Sequence, residues 1–461
     1  MRALLVLAWP LMAGTACAQA ISVRLDQATR VRMDQAIRRC LEEDGTPSAS
    51  VAVVVGGEVS YMGAYGDAAL HPKAPALTTT RYQLASISKT FTAEALLLLE
   101  ADGKLSLTDK VSRWFPDVTG ASEISLRELL NHTSGLPDHN AQGYPAGAKS
   151  KPTPPDQIIA EWGHHPLLFP PGTQFHYSNL EYQIAGRIAE KVSGTPLFQL
   201  MQERIFTPLR MTATIDLDTI PEGSAELATG YVQTALAGLE PAPYEGPGWS
   251  FGSGQVVTTA HDVALWDIAF LKGQVLPPQQ AAEETTVASL ANGTTKPSAL
   301  GLFVSRDEGV LRYYHTGEAF GFEAVNIIYP NADLAIVVLT NTNVEPTYLK
   351  IADELTYLLL PPTEEGAFAR NLFAGLQNGR PDLSLFSDDL KQYLTSARLN
   401  EYSSSLGALG PPQAFSLDHS QTVDGLTTRD YEVTVAGRRL HMHLLLLPDQ
   451  KLEDIAVTRA Q

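Results

Sequence analysis

The chain has 461 residues, with 33 basic against 51 acidic side chains and a formal net charge of −18. At about 150 residues per domain this length predicts two or three domains, or one large domain with an appendage. A composition of 44% hydrophobic and 18% charged residues is globular and excludes global disorder. An acidic chain repels phosphate backbones, so nucleic acid is a poor partner, and two cysteines are too few for a disulfide scaffold or a cysteine-based zinc module.

Residues 1–20 read as a signal peptide. Arg2 is a short basic region. Residues 3–12 form an apolar run too short to span a bilayer. Ala16-Cys17-Ala18 and Ala18-Gln19-Ala20 offer small-residue cleavage sites. Cleavage after Ala18 or Ala20 predicts an exported protein, periplasmic or secreted; the competing reading is a buried N-terminal helix. Cys17 opens a lipoprotein reading, but Gly14 stands where such a signal usually has leucine. After cleavage only Cys40 remains, so no internal disulfide can form. No other stretch is apolar enough for a transmembrane span.

Residues 26–43 carry apolar side chains at helical spacing and stop near Gly45. Residues 51–55 and 58–64 read as a hairpin turned at Gly56-Gly57. An apolar helix over 86–101 ends at Asp102-Gly103. Residues 140–155, rich in Gly, Pro, Ala and Lys, read as a surface loop. Residues 182–191 and 196–206 read as helices, and 241–253 as a Pro/Gly/Trp loop. From Gly301 short β-rich runs at 301–305, 310–315, 322–329 and 334–340 predict an antiparallel meander. A helix at 348–359 ends at Pro361-Pro362. The composition then shifts. Residues 366–461 hold two helical stretches followed by strands at 415–418, 428–436, 439–446 and 452–457, enough for a small α+β domain. The expected division is therefore 1–20, 21–362 and 366–461.

Ser86-Ile87-Ser88-Lys89 is an S-x-x-K tetrad. A spacing of three puts Ser86 and Lys89 on one helical face. The tetrad opens an apolar helix, where N–H groups can stabilise an oxyanion. Alone it is a weak signal, since a capping serine before a helix looks the same. Tyr177-Ser178-Asn179 follows further along and precedes a helix, and His315-Thr316-Gly317 ends a β run.

In that order and at those separations the three motifs resemble the serine β-lactamase and penicillin-binding-protein family, on the class C side. The connecting text agrees: Leu129-Leu130-Asn131-His132-Thr133-Ser134-Gly135-Leu136-Pro137, Pro208-Leu209-Arg210-Met211-Thr212, and the stretch from Ser253 to Asp262. The resemblance covers roughly residues 30–360. It implies an α+β fold: an antiparallel sheet flanked by helices, joined to a mainly helical subdomain, with the site in the cleft between them. It also implies roles. Ser86 would be the acylated nucleophile and Asn179 would grip the substrate amide. Thr316 and Gly317 would belong to the strand motif, and Glu318 would supply an oxyanion N–H beside that of Ser86. A tyrosine of pKa near 10 needs about 4 kcal/mol of phenolate stabilisation to act as a base at pH 7, which an adjacent ammonium could supply. Either Tyr177 is the general base with Lys89 beside it, or Lys89 is itself the base with its pKa lowered by burial. The resemblance implies an enzyme cleaving amides or esters of small molecules or peptides, without cofactor or metal. A carboxylesterase with little β-lactam turnover and a non-catalytic penicillin- or peptidoglycan-binding protein are the alternatives.

One departure concerns His315, where many β-lactamases carry lysine. Histidine is a weaker, pH-dependent anchor for a substrate carboxylate; the other reading is a neutral His315 that only shapes the cleft. The remaining candidates are weaker. Gly248-Trp249-Ser250-Phe251-Gly252 matches G-x-S-x-G, but its proline-rich lead-in cannot be the central strand of a nucleophile elbow. His164-His165, His261-Asp262 and His441-Met442-His443 lack a companion ligand set and read as solvated or capping pairs. The C-terminal unit resembles the cystatin-like or NTF2-like domains appended to some family members, and a docking or dimerisation role is expected of it. Oligomeric state is not legible.

Overall fold

The computed structural model describes residues 21, 23–139, 149–225, 227–307, 310–361, 364–412, 414–423 and 425–460. The expected signal peptide and most of the expected 140–155 loop lie outside them. Helix α1 (Gln27–Asp44) starts where the Asp26 carboxylate accepts from Thr29 N at 2.7 Å, a side-chain cap for an otherwise orphaned donor. Strands β1 (Ser48–Val55), β2 (Glu58–Leu70) and β3 (Lys73–Pro75) follow. Next come α2 (Ser88–Ala101), α3 (Asn179–Ser193) and α4 (Ala260–Leu271). Strands β4 (Phe303–Asp307), β5 (Val310–Ala319), β6 (Phe322–Tyr329) and β7 (Leu334–Thr340) then precede α5 (Thr347–Leu359).

These strands form one antiparallel sheet in the order β4-β5-β6-β7-β1-β2-β3. The first strand closes against the last, with Ala49 opposite Thr340 and Val55 opposite Leu334. Alternation along β1 sends side chains to opposite faces. Ala52 and Val54 enter the core shared with α2, α3 and α4, whereas Val51 and Val53 enter a second core under α1 and α5. The sheet is thus covered on both faces, and α2 is buried along nearly its whole length. The meander expected from the sequence is present, with one correction. The run ending at His315 continues to Ala319, so the His-Thr-Gly motif lies inside β5 and not at its end. Short helices at Leu126–Leu130, Pro155–Trp162 and Pro278–Glu284, and α4 itself, were not expected. The first three are short, of eight residues at most, so a helical period has little room to stand out, and α4 is apolar almost all round.

Beyond α5, α6 (Glu364–Gln377), a short helix at Asp388–Tyr393 and α7 (Ser396–Leu406) precede a separate four-stranded antiparallel sheet. Its strands β8 (Ala414–Val423), β9 (Leu426–Val435), β10 (Arg438–Leu446) and β11 (Leu452–Arg459) pair in chain order. They share a third core with the preceding helices, built on Phe373, Phe386, Tyr431 and Met442.

Candidate active site

The S-x-x-K tetrad sits at a joint between strand and helix. Tyr82–Gln83 pairs with Val256–Thr258, the chain makes a single tight turn over Ala85–Ile87, and α2 starts at Ser88. Ser86 therefore lies in the turn before the helix and not in the helix proper. Ala85 takes φ 46°, a left-handed conformation costly for a residue with a Cβ. The turn lifts Ser86 to the cleft surface, while Ser88 and Lys89 enter the interior.

Lys89 is fully buried and its Nζ meets three oxygens: Ser86 Oγ at 3.0 Å, Asn179 Oδ1 at 2.7 Å and the Ser253 carbonyl at 2.9 Å. Burial pulls its pKa down to about 7, against the carboxylate of Asp138, which raises it. Tyr177 is hydrogen-bonded to Ser86, and its ring lies 4.8 Å from Lys89 Nζ. Burial pushes the Tyr177 phenol above its ordinary value. Asn179 opens α3, and its side-chain amide is fixed from behind. Asp138 accepts from the Asn179 backbone N–H at 2.9 Å and from Nδ2 at 3.3 Å, which aims Oδ1 at Lys89.

Under this layer lies a buried acid–imidazole pair. His132 Nδ1 and Glu181 Oε2 are 2.5 Å apart, and the Ser134 hydroxyl donates to Glu181 Oε1 at 2.5 Å. The Ser178 N–H also points at His132 Nδ1, at 3.3 Å. An imidazole nitrogen that accepts from an amide cannot carry a proton, so the Glu181 carboxyl donates to it. Burial drives both groups to this neutral state, raising Glu181 and lowering His132. The His132 ring supports Tyr177, with centroids 4.3 Å apart.

His315 faces the same cleft from β5, its ring 6.3 Å from that of Tyr177 and 5.2 Å from that of Phe303. Its Nδ1 lies 2.6 Å from the Thr316 carbonyl. A carbonyl only accepts, so Nδ1 carries the proton. Burial and the nearby Lys89 hold the imidazole down to about 3, so it is neutral across the working pH range. Gly317 lies against the nucleophile turn, where a Cβ would come within 2.1 Å of the Leu84 carbonyl. Only glycine allows β5 to approach Ser86 this closely. Residues 315–319 pair with β6 alone, because β4 stops opposite Tyr314; their other edge is the wall of the cleft.

Ser86, Lys89, Tyr177, Asn179, His315 and Gly317 therefore converge. Thr316 does not join them: it lines a separate cavity with Tyr314, Val325 and Ile327 on the opposite face of the sheet. The Glu318 side chain is exposed, so only its backbone faces the site. Sequence reasoning missed Asp138, Glu181 and the Ser253 carbonyl. Asp138 stands directly after the Leu136-Pro137 text that carried the resemblance, which was the available signal. Glu181 had none, since an acidic residue in an amphipathic helix reads as solvated. Ser250 donates to Glu245 in a run of turns with no strand leading into a helix. His441 and His443 both contact Asp430. Among the described residues no group of three His, Cys, Asp or Glu is disposed to hold a metal ion, and no helix is long and apolar enough to cross a membrane.

A two-sided antiparallel sheet, with S-x-x-K, Y-x-N and H-T-G meeting at one cleft, is the architecture of the serine β-lactamases and penicillin-binding proteins. The family model described as Beta-lactamase matches residues 33–360, and the chain belongs to that family. It is similar to Protein flp of Staphylococcus aureus strain MW2, 28% identical over 335 residues. That match covers 70% of this chain and 65% of the relative, so the chain spans about two thirds of the relative's length. Among solved structures it resembles the D-amino acid amidase of Ochrobactrum anthropi SV3 complexed with L-phenylalanine amide. There the TM-score is 0.62 at 25% identity, covering 71% of this chain and 97% of the other. An octameric penicillin-binding protein homologue from Pyrococcus abyssi shares the fold over 94% of this chain and 98% of its own. Its TM-score is 0.59 at 17% identity, and the coverage extends into the C-terminal unit.

Proposed function

We propose that the protein is an exported serine hydrolase that cleaves amide or ester bonds through an acyl-enzyme on Ser86. The observation that carries this reading is the set of three contacts around Lys89. Asn179 Oδ1 and the Ser253 carbonyl can only accept, so a neutral amine spends both its protons on them. Its lone pair is then left for the Ser86 hydroxyl at 3.0 Å. A pKa of about 7 makes that neutral form available at working pH, whereas burial moves the Tyr177 phenol away from it. Of the two bases open from sequence, Lys89 is the one we assign.

The Ser86 proton passes to Lys89 Nζ as Oγ bonds to the substrate carbonyl carbon. The N–H groups of Ser86 and Glu318 hold the resulting oxyanion. Tyr177 gives its proton to the departing amine or alcohol as the C–N or C–O bond breaks, and the Lys89 ammonium replaces it. Water then repeats the attack on the ester. The neutral His315 offers no charge to a substrate carboxylate. This supports amides and esters over β-lactams and D-alanyl peptides with a free carboxylate on the leaving side; the likeness to a D-amino acid amidase points the same way.

Incubation with a fluorophosphonate followed by intact mass and peptide mapping tests the reading. A single adduct on Ser86 is expected, and its absence from a folded protein would remove the enzyme reading. N-terminal sequencing of protein recovered from the cell envelope or medium tests export, with Gln19 or Ile21 expected as the first residue.

A further inference from the structure

Beside the nucleophile lies a cavity of about 290 Å³ that the mechanism does not use. Leu217, Ile220, Phe320 and Phe322 give it apolar walls, and Gln83, Glu222 and Glu245 bring polar groups to it. Phe322 and Ile220 are buried and belong to the fixed interior. The cavity is shaped by close backbone packing: Gly321 takes φ +74°, and a Cβ there would fall 2.5 Å from Tyr231 N. It adjoins the reacting serine on two sides. Gln83 stands three residues before Ser86. On the other side Glu245, also in the wall, is bonded to Ser250, whose Oγ lies 3.4 Å from a Cβ placed on Gly254; that same Cβ would sit 3.7 Å from the Ala85 carbonyl carbon.

The direction of the substrate follows from β5. A carbonyl oxygen between the Ser86 and Glu318 N–H groups leaves the two arms of the scissile bond along residues 315–319. Tyr177, which protonates the leaving group, sits at the His315 end, stacked on Phe303 at 6.5 Å. The leaving group therefore occupies that end. The acyl group points the other way, past Ala319 to Phe320 and into the cavity. We infer that this cavity is the acyl-side specificity pocket and that it takes an uncharged, bulky apolar acyl group of arylalkyl type. Its size suits a phenyl ring on a short chain. Glu222 and Glu245 in the wall disfavour an acyl chain ending in a carboxylate. The inference rests on the Ser86 acyl-enzyme reading and names the substrate class for it.

The experiment compares kcat/KM for p-nitrophenyl acetate, 3-phenylpropionate and hemisuccinate, per site titrated with fluorophosphonate so that misfolded molecules are not counted. The wild type is expected to favour phenylpropionate over acetate by about 10-fold or more and to disfavour the hemisuccinate. Leu217→Trp fills the cavity and should lower the phenylpropionate-to-acetate ratio about 10-fold, and Leu217→Ala should raise the ratio for a naphthylpropionate. If the two variants leave these ratios where they are in the wild type, the pocket is not the acyl site. A wild type that prefers acetate also overturns the inference. Both outcomes leave the Ser86 reading intact, whereas failure of all esters to acylate Ser86 removes that reading itself.

Discussion

Replacing Asp138 by asparagine isolates the charge behind the assigned base. Asp138 reaches Lys89 through one amide: its carboxylate accepts from Asn179 Nδ2 at 3.3 Å, and Asn179 Oδ1 accepts from Lys89 at 2.7 Å. The carboxylate and ammonium are then roughly 7 Å apart, worth about 2.4 kcal/mol at an effective dielectric of about 20 and half that in a wetter cleft. That corresponds to about 1–2 pH units. The sign is fixed. A carboxylate favours the ammonium, so removing it lowers the Lys89 pKa from its value of about 7. A lysine base works when neutral, so kcat/KM in the wild type should rise with pH through about 7. In Asp138→Asn that rise should move to lower pH by about one unit or more, while the amide oxygen still accepts from Asn179 and only the second contact, from Nδ2 to Oδ2, is lost. The other groups facing Lys89 (Glu181, His132, Tyr177, Tyr182 and His315) are unchanged by the substitution and hold the comparison constant. The assay is p-nitrophenyl ester hydrolysis from pH 5 to 9 with sites titrated by fluorophosphonate. A rise that stays put or moves upward in Asp138→Asn refutes Lys89 as the base. A wild-type rise centred near 10 would return that role to Tyr177.

Tyr177→Phe should retain a folded structure and lose about 10²- to 10⁴-fold in turnover, with amides hit harder than p-nitrophenyl esters, whose leaving group needs no proton. Ser86→Ala should abolish the fluorophosphonate adduct and Ser250→Ala should keep it; the reverse pattern would put the nucleophile at the wrong serine. With His315 held near 3, the ratio of kcat/KM for a carboxylate-bearing substrate to its neutral ester should be flat from pH 5 to 8. A fall in that ratio through about 6.5 would show an imidazolium anchor instead. Glu94 and Glu284 are fully buried and raised well above the ordinary carboxyl range. Neutral acids of this kind stabilise the fold at lower pH, and that stability is lost as pH rises through their folded-state values. Glu284→Gln should therefore lessen alkaline unfolding in a thermal melt followed from pH 7 to 10.

Residue pattern alone went far with the sheet and less far with the helices around it. Strands β6 and β7 are mostly apolar runs buried at every position, and turn residues bracket them, so their limits were legible. The same logic stopped β5 too early. Its Gly-Glu-Ala run has no β-branched or aromatic residue, and only pairing with residues 322–324 of β6 carries it to Ala319. Helix α4 was missed for the opposite reason: it lies between α2 and the sheet, is apolar almost all round, and offers no period to read. In the C-terminal unit β8 came out short because His419, Ser420 and Gln421 are exposed and polar.

In the site, identity was legible and charge was not. Ser86, Lys89, Tyr177 and Asn179 stood out by type and spacing, but the protonation state of each depends on what burial removes. In sequence Lys89 reads either as a cation beside Tyr177 or as a base lowered by burial, and His315 either as a pH-dependent anchor or as a neutral residue that shapes the cleft. The assembled cleft decides between these readings, because burial lowers the pKa of both groups and Lys89 lowers that of His315 further. Two consequences follow. A lysine of pKa about 7 has a neutral form available to serve as the proposed base for Ser86, and a neutral His315 leaves its end of β5 without a fixed cation. An ammonium in place of His315 would suit a carboxylate but would stand close to Lys89, pressing its pKa further down and competing for the same Tyr177 face. With His315 neutral, burial sets the low pKa of Lys89 and Asp138 opposes it, and on the proposed reading the site takes substrates recognised by shape at the acyl end rather than by charge at the leaving end.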